Sequence, residues 1–364
     1  MNILHTESSV NWGGQELRIV EECQWLNTHG HQAFIAARPD SQIFMRARDS
    51  GVSVLPVRYR GIANARAIKT IKAFCKEKKI DLINTHSTRD SWHAMWLRPT
   101  GIPVLRSLHV TNRQKDDWAH RFLWKRGNNG IIATAELIRG QLMNLGLDGK
   151  NIHVVGEYAD PVVFNPEVSG ERVRQELNVG DQQILITNIG MIRPDKGQTV
   201  ILKAADKIAD HFPNVIFLFV GEATRPDFRE AFESELAGVR NRDNILISGY
   251  RNDIPAVMAA SDYIVIASTE VEGQSKIAPQ CYAMKKPLIS SDAGALGELL
   301  QPGGKTLGIL IPKNDPEHLA SAVISCLSNG YPLDTGAAFD FFSDNLTIDS
   351  RMNSTLDIYT WYIS

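Results

Sequence analysis

Short apolar runs alternate along the chain with longer segments whose apolar residues recur at helical spacing. The runs Asn2–Thr6, Gln32–Arg38, Ser53–Val57, Asp81–His86, Val104–Val110, Gly130–Ala135 and Ile152–Gly156 read as strands. Helical stretches separate most of them. In Gln15–Leu26, Leu17, Val20 and Cys23 share a face; in Arg66–Lys79, Ile68, Ile71 and Cys75 do. Such βαβ punctuation predicts a parallel sheet covered by helices. The pattern restarts after residues 160–166, with strands expected at Ile184–Gly190, Val215–Gly221, Ile245–Gly249, Tyr263–Ser268, Leu288–Ser291 and Gly308–Ile311. Helices are expected at Gly197–His211, Phe228–Ala237, Ala278–Met284 and Pro316–Leu327.

Two doubly wound domains in series follow, at 1–165 and 166–345. The final segment, Ile348–Tyr362, carries Met352, Leu356, Tyr359 and Trp361. Either it packs back on the first domain, or it is a plain terminal helix of the second. A length of 364 residues suits two domains. With 43% apolar and 22% charged residues, the composition is that of a globular protein and excludes collagen, coiled coil and disorder as the main description. Net charge is −2, but residues 1–165 hold 22 Lys+Arg against 15 Asp+Glu, and the remainder 17 against 26. A basic half joined to an acidic half points to an anionic partner for the first. Cys23, Cys75, Cys281 and Cys326 form no C-x-x-C or zinc spacing and read as reduced thiols of a cytosolic protein. The first residues show no signal-peptide pattern, and no apolar run is long enough to span a bilayer.

In open α/β sheets, ligands sit beyond the carboxyl ends of the strands. Three turns there carry chemistry. Gly13-Gly14 precedes a helix, where bare N–H groups can meet an anion; a tight left-handed turn accounts for the glycines equally well. Gly190-Met191-Ile192-Arg193-Pro194-Asp195-Lys196-Gly197 places two cations where a diphosphate can be held, or where Arg193 simply pairs with Asp195. Glu270-Val271-Glu272-Gly273-Gln274-Ser275 opens a helix with carboxylates for vicinal hydroxyls and N–H groups for phosphate, unless Ser275 is only its N-cap.

Taken in order, these segments resemble the retaining, nucleotide-sugar-dependent glycosyltransferases of family 4. Asn84-Thr85-His86-Ser87, Arg106-Ser107-Leu108-His109, Val163-Phe164-Asn165-Pro166, Pro287-Leu288-Ile289 and Gly294…Glu298 complete the set. The resemblance implies the GT-B fold, two Rossmann-like parallel-sheet domains facing each other across a cleft. It implies that Lys196 binds the donor diphosphate and that Glu272 lies by the donor sugar. It gives Gly273, Gln274 and Ser275 as backbone over the sugar and phosphates, His109 as a catalytic histidine facing the sugar, and Gly14 as the glycine at the diphosphate. Arg193 supplies a further cation, and Tyr250 and Arg251 fall where the nucleobase is held. Two positions depart from the family pattern. Gln280 stands where the second Glu of E-x7-E binds the ribose, and Met191 stands where the family has an arginine. An amide can still accept from one hydroxyl and donate to the other.

The expected activity is transfer of a hexosyl group to a hydroxyl of a saccharide or lipid-linked acceptor, with retention, in bacterial cell-envelope polysaccharide or lipopolysaccharide synthesis. No cofactor is expected, and the lack of Asp-x-Asp predicts no metal. The alternatives are a weak sugar-nucleotide-binding or scaffolding protein and a nucleotide-sugar epimerase. No nucleic-acid recognition motif occurs. Arg58, Arg60, Arg66, Lys69, Lys72, Lys76, Lys78 and Lys79 crowd one stretch, with Lys69, Lys72, Lys76 and Lys79 on one helical face. Arg113, Lys115, Arg121, Lys125 and Arg126 interleave with Trp118, Phe122 and Trp124. Basic faces with aromatics suit an anionic membrane surface, so the expected location is cytoplasmic, peripheral on the inner face of the membrane. A solvated lysine face with the aromatics in the core is the competing account.

Overall fold

The computed structural model describes residues 1–109, 116–270 and 272–364. Val110, Arg113, Lys115 and Val271 of the sequence reading lie outside the described residues. The chain divides into two compact units, Met1–Gly156 with Arg351–Ser364, and Glu157–Ser350.

The first unit is a seven-stranded sheet of β1 (Asn2–Glu7), β2 (Gln32–Ala37), β3 (Ser53–Pro56), β4 (Leu82–Thr85), β5 (Val104–Leu108), β6 (Gly130–Ala133) and β7 (Ile152–Val154). The order is β3-β2-β1-β4-β5-β6-β7, and every pairing is parallel. Helices cover a parallel sheet on both faces, so its central strands lack polar alternation. β1 accordingly buries Ile3 and Leu4 completely, yet it ends in buried His5, Thr6 and Glu7. Burying three polar side chains in a row costs free energy unless they find partners. Their place is the carboxyl end of the strand, at the reversal of strand order between β1 and β4.

The second unit is a six-stranded sheet of β8 (Ile184–Ile189), β9 (Val215–Val220), β10 (Ile245–Gly249), β11 (Tyr263–Ile266), β12 (Leu288–Ser291) and β13 (Ile309–Ile311). Its order is β10-β9-β8-β11-β12-β13, again all parallel, with the reversal between β8 and β11. Phe217 and Phe219 pack beneath the helices Gln198–His211 and Pro316–Asn329. Tyr282, Leu296 and Phe342 pack on the opposite face. Each such large apolar side chain contributes about 1.5–3 kcal/mol on burial.

Several boundaries differ from the sequence reading. The first unit closes at Gly156 rather than at residue 165, because Ala159 bridges to Thr347 and its N–H reaches Leu346 O. Of the helix Ile348–Ile363, residues 351–363 belong to the first unit, where the Tyr359 hydroxyl accepts from Asn84 Nδ2 at 2.8 Å. A helix at Thr335–Asn345 replaces the expected polar stretch, with Asp334 capping Gly336 N and Phe342 buried. The helix Ala65–Glu77 stops before Lys79, whose φ of 50° is left-handed. Lys69, Lys72 and Lys76 keep the exposed helical positions, but Lys79 is off the helix. All four cysteines are free and buried.

Candidate active site

In the second unit the turns after β8 and β11 are locked together. Gly197 has φ 67°, and a Cβ there would stand 1.8 Å from Ala267 O, so only glycine fits. Thr269 N donates to Asp195 O at 3.0 Å, and its hydroxyl to Pro194 O at 3.0 Å. This seam brings Lys196 to Glu272. The Lys196 ammonium donates to both carboxylate oxygens, at 2.7 and 2.6 Å, and Ser268 Oγ donates to Glu272 at 2.8 Å. Gly294, with φ 61°, lets the next strand's turn lie on the Glu272 backbone, where a Cβ would come within 1.9 Å of Glu272 O. Ala295 N then donates to that carbonyl at 2.9 Å. The two residues that the sequence reading gave to separate parts of one ligand are thus each other's partners.

The remaining candidates of this unit divide. Arg193 pairs with Asp195 at 2.9 Å and remains partly exposed. Gln274 is held by its side chain, which accepts from Glu157 N at 2.9 Å and donates to Glu298 at 3.1 Å. Ser275 Oγ accepts from Ile277 N at 3.3 Å, so it does tie down the first turn of the helix Ile277–Ala283, although Lys276 occupies the N-cap. Gln280 is buried, and its Oε1 has no hydrogen-bond partner among the described residues. Tyr250 is 52% exposed at the end of the edge strand β10. Arg251 beside it is spent on two carboxylates, Glu176 at 2.6 Å and Asp253 at 2.7 Å. Those bonds raise its pKa further, the Asp253 contact first.

In the first unit, neither Gly13 nor Gly14 has a left-handed φ: Gly13 is extended, and Gly14 begins the helix Gly14–Thr28. A turn requirement therefore does not explain the pair. The N-cap glycine offers no side chain, and the buried Glu16 carboxyl accepts from the Gly13 N–H instead; a Cβ on Gly14 would meet nothing within 4 Å. His109, just past β5, is hydrogen-bonded through Nε2 to His86 Nδ1 at 2.9 Å. His86 Nε2 in turn meets His5 Nδ1 at 2.9 Å. The rings stack pairwise with centroids 5.2 Å apart. Burial lowers the His5 pKa to about 3 and holds His86 well below its usual value, with repulsion from His109 and His5 adding to it. A neutral imidazole has one N–H, so the tautomers along this row are set together.

Two carboxyls lie beneath. Asp90 accepts from Thr6 Oγ1 at 2.7 Å, from Ser8 Oγ at 3.2 Å, and from the N–H groups of His86 and Ser87 at 3.1 Å. Burial nevertheless pushes it up to about 7, with Glu7 repulsion second. Burial also raises Glu7, against bonds from Ser87, Ser9 and Gln15. Arg106 is buried with its guanidinium 3.9 Å over the Trp124 ring and Nη2 on Thr88 Oγ1 at 3.0 Å. Its Nε and Nη1 have no partner among the described residues, and burial lowers its pKa to about 10. The sequence reading weighed His86 as a cleft-wall residue, named Arg106 and Gly294 only as motif members, and passed over His5, Glu7, Asp90 and Ser268 as site residues. Their one legible signal was a polar strand end, at His5-Thr6-Glu7 in β1.

The chain matches the Glycosyltransferase Family 4 model over residues 12–161 and the "Glycosyl transferases group 1" model over 183–329. It is a family 4 glycosyltransferase. The transferase is 23% identical over 354 residues to the D-inositol 3-phosphate glycosyltransferase of Corynebacterium glutamicum, covering 87% of this chain and 84% of that one. It is 23% identical over 278 residues to the UDP-Gal:alpha-D-GlcNAc-diphosphoundecaprenol alpha-1,3-galactosyltransferase of Escherichia coli, covering 72% and 70%. A match to the alpha-D-kanosaminyltransferase of Streptomyces kanamyceticus, at 22% identity, takes in 57% of this chain and spans about half of that protein, 53%. Among solved structures, a glycosyltransferase from Rickettsia africae superposes with TM-score 0.88 at 20% identity, covering 100% of this chain and 98% of that one. HepE of Anabaena in complex with UDP superposes with TM-score 0.86 at 19% identity, covering 99% and 100%. The transferase accordingly has the GT-B fold.

Proposed function

We propose that this transferase moves a hexosyl group from a nucleoside-diphosphate sugar to a hydroxyl acceptor, with retention at the anomeric carbon. The observation that carries the reading is the Lys196–Glu272 pair at the β8/β11 reversal, where a cation and a carboxylate stand ready for a diphosphate and a sugar. A leaving diphosphate requires electrostatic stabilisation that grows as its bond to the sugar breaks. Lys196 supplies this, with Arg193 and the N–H groups of Gly273, Gln274 and Ser275 behind it. Glu272 holds sugar hydroxyls. Gln280 receives a ribose hydroxyl through its unpartnered oxygen, and Tyr250 stacks on the base. His109 and Gly14 take the sugar and diphosphate roles that the family resemblance gives them. Retention follows a front-face course in which the leaving phosphate accepts the acceptor's proton, and no metal takes part. That HepE was solved with UDP, and that one relative is named for a diphosphoundecaprenol-linked acceptor, support a nucleotide-sugar donor and an envelope-glycan acceptor.

The experiment is turnover with a panel of nucleotide sugars in the presence of a chelator, with the product's anomeric configuration read by NMR. Lys196→Ala should lower turnover by roughly two to three orders of magnitude, the scale of removing one stabilising donor, while the circular dichroism spectrum is unchanged. Full activity in Lys196→Ala would place the diphosphate elsewhere, and an inverted product would end the retaining assignment.

A further inference from the structure

The first unit contains an open cavity of about 670 Å³ that none of the donor residues touches. Its wall is built from Arg38, Asp40, Arg58, Tyr59, Arg60 and Arg89. Arg38 and Asp40 follow β2, Arg58 to Arg60 follow β3, and Arg89 lies in the helix after β4. The cavity therefore sits at the carboxyl ends of three parallel strands, where an open α/β sheet binds ligands.

The local sequence explains how the arginines reach it. Residues 57–60 alternate: Val57 and Tyr59 are buried, and Arg58 and Arg60 are exposed. The Tyr59 hydroxyl donates to Ala36 O at 3.1 Å and pins the segment to β2. Its ring meets His93 edge-on at 5.3 Å, and His93 Nε2 accepts from Asn64 N at 3.2 Å. The segment is thus fixed on both sides. Arg58 and Arg60 are held toward the cavity, apart from the lysines on the helix Ala65–Glu77.

Charge decides what the cavity accepts. Arg38 is neutralised by Asp40 through two bonds, at 3.1 and 2.7 Å. Arg58, Arg60 and Arg89 have no ion pair with any described residue. The Asp40 carboxylate also attracts Arg58, but one carboxylate stands against the four guanidinium groups of Arg38, Arg58, Arg60 and Arg89 around this opening, and a further anion relieves their repulsion. Guanidinium is the group that matches phosphate oxygens bidentately. A lone phosphate or diphosphate would leave most of the volume empty, while one carried on a saccharide has the size for such a pocket.

We propose that this cavity is a binding site for the phosphate or diphosphate of the acceptor, with Arg58, Arg60 and Arg89 as its ligands. The acceptor part rests on the transferase reading above; the phosphate site does not. The probe is inorganic pyrophosphate, titrated by calorimetry into the full chain carrying Lys196→Ala, which disables the donor diphosphate site. The expected result is saturable binding that weakens at least tenfold in Arg58→Gln/Arg60→Gln and in Arg89→Gln. Uridine diphosphate binding by the same arginine variants on the Lys196 background should stay within about twofold of the unsubstituted chain. The three side chains are exposed, so melting temperatures should be unchanged, and Arg60→Lys should lose less than Arg60→Gln. Two arms separate the sources. Competition by glycerol 3-phosphate assigns the site to soluble phosphate esters. Arginine-dependent sedimentation with phosphatidate vesicles, without that competition, assigns it to lipid-borne phosphate. The proposal is overturned if the Lys196→Ala chain binds no pyrophosphate, or if the arginine variants bind it as the parent does. Because the readout is binding, an active Lys196→Ala enzyme would defeat the donor assignment and leave this result standing.

Discussion

At the scale of single residues, the Lys196–Glu272 pair changes what removing either partner does. The ammonium faces both oxygens of the carboxylate. On the proposed reading, an incoming diphosphate displaces Glu272 from Lys196, and the freed carboxylate is then available to sugar hydroxyls. Glu272→Ala should therefore weaken the nucleotide sugar several-fold and leave the bare nucleoside diphosphate bound as well as, or more tightly than, in the parent. Calorimetry with both ligands measures the split, and equal losses for the two would assign Glu272 to the nucleotide. Gln280 carries a second residue-scale consequence. Its oxygen is buried without a partner, so a carboxylate there would meet desolvation before any ligand arrives. Gln280→Glu should lower the melting temperature of the free protein by a few degrees at pH 7 relative to pH 5, the effect of roughly 1 kcal/mol. Nucleoside diphosphate should restore it through the ribose hydroxyls. An unchanged melting temperature at both pH values would show that water solvates the position.

At the scale of elements, the ends of β1 and β4 oppose two kinds of titration. His5 has its pKa lowered to about 3 from 6.5. Its contribution to stability is complete above about pH 6.5 and is lost as the pH falls toward 3. His86 acts in the same direction. Asp90 is raised to about 7 from 3.8, so its contribution is complete below 3.8 and is lost as the pH rises toward 7. Glu7 acts with Asp90. Each group contributes a slope of up to about 1.4 kcal/mol per pH unit. Between pH 4 and 6.5 the imidazoles and carboxyls offset one another. Asp90→Asn should make stability rise with pH across that window, and His5→Phe should make it fall relative to the parent. Urea unfolding at pH 4.5, 5.5 and 6.5 reads the slopes; parallel profiles in all three proteins would mean that these groups are solvated.

The same elements show what the sequence carried. Every expected strand lies where its apolar run stands, because a parallel strand buried on both faces must be apolar along most of its length. The turns at Lys196 and Glu272 were legible as chemistry but not as partners, since their contact depends on Gly197 and Gly294, which let distant loops close on each other. Helix Gly14–Thr28 was read by its apolar face alone. It also buries Arg18, whose guanidinium reaches Glu22 at 2.7 Å and the carbonyls of Val155 and Gly156 at 3.2 Å. The pair itself has helical i,i+4 spacing, but its burial against Val155 and Gly156, far along the chain, leaves no mark on the local sequence. The histidine row was invisible for the same reason, as it joins three strands.

At the scale of the whole molecule, the charge asymmetry falls on real surfaces. Lys69, Lys72 and Lys76 are exposed on the helix Ala65–Glu77. On the helix Trp118–Arg126, Trp118 is 81% and Phe122 44% exposed, and Arg121 and Lys125 are exposed beside them. Trp124 went to the core under Arg106, so the competing account, with the aromatics inside, holds for that ring alone. Trp92 stacks on Phe122 at 6.3 Å, and Trp96 is 53% exposed. Exposed aromatics next to basic side chains match the chemistry of a bilayer interface with anionic headgroups. No helix among the described residues is long and apolar enough to cross a membrane. The transferase should therefore sediment with anionic vesicles at low salt and less so at physiological salt, and it should ignore neutral ones. Each basic side chain near the leaflet contributes about 1 kcal/mol, so Lys69→Ser/Lys72→Ser/Lys76→Ser should cut the partition coefficient by roughly two orders of magnitude. Trp118→Ala/Phe122→Ala should weaken binding even at high salt, because burial of apolar rings is not screened. If the lysine variant binds as the parent does while the aromatic variant does not, the membrane face is the helix Trp118–Arg126 alone. Equal partition into neutral vesicles would defeat the electrostatic account altogether.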